Sequence, residues 1–385
     1  MASFNPQCIT YSQMNLIFNA RVYYRRLTTW TRAYINSIYY GIGTAEDMFA
    51  RLYTETLDIG NMLQIIFGRV YSEQYSNMVS QFAIALRDLL TAQLEGNTEA
   101  VNQNIDRLFN NVAERAVFLE SINPYWSAEE YRNMFNAYVQ YTLEIANALA
   151  AGDYSRYTEL YDLINAHTNR MGDVFAKGIY DYITSGGYPL NAATAENIPC
   201  ITYEQMNDIY KIRMIWFELV IWVRTYMLSR FTGTGDPEVI LARLKQAPVE
   251  YIETVTKYFE NVNAEEYLQL FINYIDLIDA FITAMLENNT EELNQITRSL
   301  YQNADERANF VASFNPYWTP EEWRSRLLDN LITTIEEATT FLAGDYARNI
   351  NIFTRLLDQA ENTGILLTQG IFNYIINYLN PNPAD

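Results

Sequence analysis

Histidine occurs once in these 385 residues, lysine four times and cysteine twice. A lone His167 leaves no triad, no histidine-rich metal set and few acid–base pairs open to the chain. The Glu-x-x-His motif of metal-binding bundles is also missing, because Ile164 stands three residues before His167. Phosphate-cradling glycine loops, GxSxG elbows and CxxC pairs are absent. No cofactor, no metal and no catalytic residue is therefore expected, and the chain reads as a non-enzyme. His167 and the nearby Asp173 are the residual candidates for a metal.

Two cysteines make neither a disulfide framework nor a zinc knuckle. Cys8 and Cys200 are expected to be small buried thiols. In an oxidising setting the alternative is a bridge from Cys8 of one subunit to Cys200 of the next.

Positive charge is scarce: 46 acidic against 26 basic residues give a net charge of −20. Such a surface repels nucleic acid phosphates and anionic lipid heads, so neither is an expected partner. The apolar stretch from Ile212 to Val223 is interrupted by Arg213 and Glu218, well short of the ~20 residues that span a bilayer. Membrane insertion is not expected. Met1-Ala2-Ser3-Phe4-Asn5-Pro6 lacks the basic and apolar regions of a signal peptide, so any export is expected to use another route.

What is there occurs twice. Asn123-Pro124-Tyr125-Trp126 returns 192 residues later as Asn315-Pro316-Tyr317-Trp318. The same offset carries Cys8 onto Cys200, Trp30 onto Trp222, and Gly152-Asp153-Tyr154 onto Gly344-Asp345-Tyr346. The chain reads as a tandem duplication: an arm over 1–7, a bundle over 8–183, a linker over 184–199, a second bundle over 200–375 and a tail over 376–385. Each half is long enough to bury its own core.

Both halves predict the same helices. Thr10 caps a long helix from about 11 to 37, stopped by Gly41 and Gly43, and its partner spans about 203–229. One or two short helices follow. Helical spacing of Phe82, Leu86, Leu89 and Leu90 marks a third segment ending at Gly96. Asn97 and Asn289 cap the next helix, which the Asn-Pro pair must end, since the residue before proline leaves the α region. Ser127 to Glu130 and Thr319 to Glu322 read as capping boxes. Gly152 and Gly344 end the fifth helix, and Asp153 and Asp345 cap the last. With no strand pattern, the fold class is all-α: two up-and-down bundles of four to five long helices each.

Within the corner, Tyr125 and Trp126 are expected to plug the bundle end. Arg21 and Arg32 lie about three turns apart on one helix face, and Arg213 and Arg224 repeat them. Glu114-Arg115 recurs as Glu306-Arg307. A charge inside a bundle needs a partner, so Arg32 and Arg224 are expected to pair with these glutamates between helices.

Trp30-Thr31-Arg32 with Ser37, the run from Asn110 to Trp126, and Gly178-Ile179 resemble an uncharacterised family of small helical proteins from spore-forming Firmicutes, often labelled automatically as acetylglutamate kinase. No kinase motif accompanies the label. The resemblance covers nearly all of both repeats. It implies single modules with histidines on several helices, suggestive of a metal-binding bundle. Here those places hold Leu27, Phe82 and Tyr138, with His167 and Asp173 remaining; in the second copy they hold Leu219, Tyr274, Asn330, Gln359 and Ile365.

A scaffold that lost its metal ligands points to assembly. The chain has 31 tyrosines, and four lysines leave arginine as the main cation; interfaces favour Tyr and Arg and avoid Lys. Two similar but unequal halves dock head to tail into open polymers. Ala2-Ser3-Phe4-Asn5-Pro6 repeats Ala312-Ser313-Phe314-Asn315-Pro316, so the arm is a candidate to fill a groove on a neighbour. The expectation is a self-assembling structural subunit of a filament or tube, extracellular or on a cell or spore surface rather than cytoplasmic. The alternatives are a ferritin-like metal- or small-ligand-binding bundle and an adaptor for a partner helix.

Overall fold

The computed structural model describes residues 5–43, 45–185 and 198–379. The protein is all-α, with twelve α-helices and one short ladder among the described residues. It divides into two compact units, one of Met1–Asn5 with Ser12–Glu196, the other of Pro6–Tyr11 with Asn197–Asp385.

The first unit carries α1 (Tyr11–Tyr40), α2 (Ala45–Phe67), α3 (Arg69–Leu94), α4 (Thr98–Ile122), α5 (Ala128–Ala151) and α6 (Tyr154–Ser185). Asn97, Ser127 and Asp153 each accept a backbone N–H of the helix they start. Their side-chain oxygens thereby satisfy donors that a helix start leaves orphaned. At the other end of α5, Gly152 takes a left-handed conformation at φ 69°, which a side chain would strain.

α1 is buried around most of its circumference, from Met14 to Ser37. A helix so enclosed is the axis on which the others pack. It touches α2 through Tyr34 and Phe49, α5 through Thr28 and Tyr138, and α6 through Arg21 and Asp173. α2 is one helix of 23 residues where short pieces were expected. It lies hard against α3: Ser72 Oγ donates to the Gly60 carbonyl at 2.8 Å, and a Cβ on Gly60 would sit 1.8 Å from Ser76 Oγ. Each unit therefore has six helices rather than four or five.

The second unit repeats the order as α7 (Tyr203–Thr232), α8 (Pro237–Val255), α9 (Ala264–Leu286), α10 (Thr290–Ser313), α11 (Pro320–Leu342) and α12 (Tyr346–Tyr374), closing in a π-helical turn over Ile375–Leu379. Thr202 and Gln205 form a full capping box at the start of α7. The corners beside Ser127 and Thr319 show only the first half of one. By length and composition α9 passes the test for a membrane span, which the sequence reading missed, yet its Tyr267, Phe271, Ile275 and Ile282 are buried inside the unit.

Two strands escaped the sequence reading. β1 (Ile9–Thr10) pairs antiparallel with β2 (Cys200–Ile201), too short to show any alternation. Tyr203 N donates to the Pro6 carbonyl at 2.8 Å, and the Tyr11 ring meets Phe372 edge-on at 5.0 Å. The segment 6–11, read as the end of the arm and the start of the first bundle, is thus a piece of the second unit. Most of the expected linker and tail, and Met1 to Phe4 of the arm, lie outside the described residues.

Candidate functional site

Buried arginines are the chemically distinctive feature of both cores. In the first unit Arg32, on α1, is 3 % exposed. Its Nε donates to Tyr157 Oη, whose own proton goes to Asn36 Oδ1 at 3.0 Å. Its guanidinium also lies 4.0 Å from the centre of the Tyr161 ring. Burial drives the Tyr161 hydroxyl upward, but Arg25 and Arg32 beside it outweigh that and hold it below the usual phenol range.

The equivalent Arg224 of α7 solves the same problem with a carboxylate. It pairs with Glu337 of α11, donates to Asn349 of α12, and sits 4.3 Å over Phe353. Burial raises the Glu337 carboxyl above its usual range even with Arg224 beside it, and burial lowers Arg224. Arg21 pairs with Asp173 through two contacts of 2.6 and 2.9 Å, whereas Arg213 reaches Glu361 at 3.9 Å, one turn earlier on the corresponding helix.

The expected pairing with Glu114 and Glu306 is corrected: both are exposed. The buried member of each dipeptide is the arginine. Arg115 lies 4.4 Å over Phe135, and Arg307 lies 4.3 Å over Tyr274 and donates to Asn303 at 2.8 Å. Burial lowers both guanidiniums. One position along a helix is a rotation of about 100°, enough to exchange core for solvent. The glutamate is the solvated neighbour, and Glu306 merely accepts from Gln302 at 2.9 Å.

At the corner, Asn123 closes α4 and organises the turn. Its Nδ2 donates to the Gly178 carbonyl at 2.9 Å, its Oδ1 accepts from Tyr125 N, and its carbonyl accepts from Trp126 N. Trp126 is buried, stacks on Phe175 at 5.0 Å and donates Nε1 to the Phe175 carbonyl. A Cβ on Gly178 would lie 1.9 Å from that Nε1, so only glycine admits the indole. In the second corner Asn315 Oδ1 accepts from Tyr317 N, its carbonyl accepts from Trp318 N, and Gly370 again lies under the indole. Trp318 Nε1, however, donates to the Leu366 carbonyl at 3.4 Å, one residue earlier than in the first, and Asn315 Nδ2 makes no hydrogen bond. Tryptophan is the plug; Tyr125 and Tyr317 are each 38 % exposed and do not join it. Pro124 and Pro316 sit in the turn itself.

Cys8 and Cys200 are neither free thiols nor free to bridge neighbours. They are joined to each other within the chain, with Cα atoms 5.0 Å apart beside the β1–β2 ladder. Their equal places in the repeat hid this, because the bond requires the N-terminal segment to belong to the other unit.

His167 Nε2 is hydrogen-bonded to the Met134 carbonyl at 2.8 Å, and burial lowers its pKa. Asp173 is engaged by Arg21. Leu27, Phe82 and Tyr138 are packed in the core, and Leu219, Tyr274 and Asn330 line a small cavity. Gln359 donates to Thr333 Oγ1, and Ile365 is exposed. These residues do not fit a metal, and no cluster of three His, Cys, Asp or Glu side chains occurs among the described residues. Comparison with protein-family models, with curated proteins and with solved structures found no match.

Proposed function

We propose that the chain is a non-enzymatic structural subunit that assembles with copies of itself into an extracellular or surface filament or tube. The observation that carries this reading is the Cys8–Cys200 bridge, which fastens the segment 6–11 into the second unit and closes Ser12–Glu196 of the first in a covalent loop. Disulfides persist in oxidising surroundings and suit proteins that must not come apart there. The buried arginines support the same reading, since Arg32, Arg115, Arg224 and Arg307 are spent on holding helices together and are sealed from any substrate.

The exposed apolar side chains of the first unit, Ile65 at 94 %, Val70 at 66 % and Val117 at 53 %, support the reading. Surface of this kind, together with tyrosine and arginine, is what recurrent contacts use. The likeness to the helical Firmicutes family belongs to this proposal as the source of a scaffold whose metal ligands have gone, and nucleic acid and lipid are not partners in it. Negative-stain microscopy and light scattering on the purified, oxidised protein test it. Regular polymers are expected as concentration rises; a monodisperse single particle throughout sinks it.

A further inference from the structure

We infer that the second unit holds one internal water molecule that joins Trp216 of α7 to Glu337 of α11. A small cavity of about 10 Å³ lies between α7, α9, α11 and α12. That is the volume at which a protein cavity accepts a single water, and too little for any larger ligand. Trp216, Tyr274, Asn330, Thr334 and Glu337 supply its polar wall.

Two of those side chains carry buried atoms with no hydrogen bond: Trp216 Nε1 and Glu337 Oε2. One can only donate and the other, as a carboxylate oxygen, accepts. A water between them accepts from the indole and gives a proton to the carboxylate, so both debts are settled by one molecule. Leaving each unmet would cost about 1–3 kcal/mol.

Charge selects water over a cation. Glu337 is already neutralised by Arg224, and a second guanidinium, Arg307, lies over the Tyr274 ring at 4.3 Å. Another positive charge there would meet repulsion with no carboxylate left to offset it. The first unit does not repeat these residues: Tyr24, Phe82, Tyr138 and Ile145 stand where the second has Trp216, Tyr274, Asn330 and Glu337. Its Phe82 and Tyr138 rings face each other at 5.9 Å, and Tyr138 Oη already accepts from Thr28 at 3.3 Å.

A crystal structure of the full chain at a resolution that shows ordered water tests the site directly. A single peak within hydrogen-bond reach of both atoms is expected. An empty cavity, a peak with metal-ion coordination distances, or Glu337 turned so that Arg224 takes both oxygens overturns the inference. In solution, Val220→Leu should fill the space, and magnetic relaxation dispersion should then count one fewer long-lived internal water. An unchanged count in a folded variant overturns it equally, and Val223→Ile serves the same purpose should the first variant not fold.

Discussion

Arg32 and Arg224 occupy the same place in the two units, yet one is held by tyrosines and the other by a carboxylate. Position 145 is Ile where 337 is Glu, and 157 and 161 are Tyr where 349 and 353 are Asn and Phe. The cation stays and the counter-group differs. Around Trp30 and Trp222, Arg51 and Arg243 each face the indole, while Glu55 on α2 pairs with Arg51 in one unit and Glu218 on α7 accepts from Trp222 Nε1 in the other. A guanidinium can be stabilised by ring faces, hydroxyls or carboxylates, so its partners are interchangeable in a way that its own position at the bundle axis is not.

The largest test of this difference removes the carboxylate. Glu337→Leu leaves Arg224 buried without its ion, and should destabilise the second unit by about 3–5 kcal/mol. Tyr161→Phe in the first unit keeps the ring face and should cost about 1 kcal/mol. Chemical denaturation of each variant measures both. Equal losses would mean that the two arginines are held alike, against the geometry. Because burial raises Glu337 in the fold, its titration contributes stability that is present below the ordinary glutamate pKa and is lost as pH rises through the folded one. Glu337→Gln should therefore remove a pH dependence that no substitution at Ile145 can alter.

Next in size is the disulfide within the second unit, which ties the segment 6–11 to β2. Cys8→Ser with Cys200→Ser should cost the second unit about 2–4 kcal/mol and leave the helix content of the first unchanged. Pulled by its ends, the oxidised chain should extend without drawing out the 192-residue loop. Reductant should add about 650 Å of contour length. The same length in both states would show that the bridge does not form.

Smaller, and alike in both units, is the glycine under the tryptophan. Gly178→Ala and Gly370→Ala place a methyl against Trp126 and Trp318 and should each cost about 1–3 kcal/mol. A loss in only one unit would break the equivalence of the two corners.

The corners were readable because proline, the capping residues and the 192-residue repeat all act locally. The all-α class followed from helical spacing and the lack of any strand pattern. Glu114 and Glu306 were misread because repetition shows that a dipeptide matters without showing which member faces inward. The disulfide and its ladder depend on contacts between segments distant in the chain, and two-residue strands carry no period. Glu337 could not have been found by repeat logic at all, since its counterpart is an isoleucine.

The mildest comparison concerns His167, whose counterpart is Gln359. Both side chains bond to the neighbouring helix, His167 to the Met134 carbonyl and Gln359 to Thr333 Oγ1. Half-buried, His167 favours its neutral form, so its folded pKa lies below that of the unfolded chain. The unfolded state then takes up a proton first as pH falls, and stability contributed above the ordinary histidine pKa is lost through the folded one. His167→Gln should flatten stability against pH between about 5 and 7, with little change near pH 8, because an amide can make the same bond without titrating. A stability difference between the two forms that stays constant across that range would mean that His167 titrates in the fold as it does in the unfolded chain.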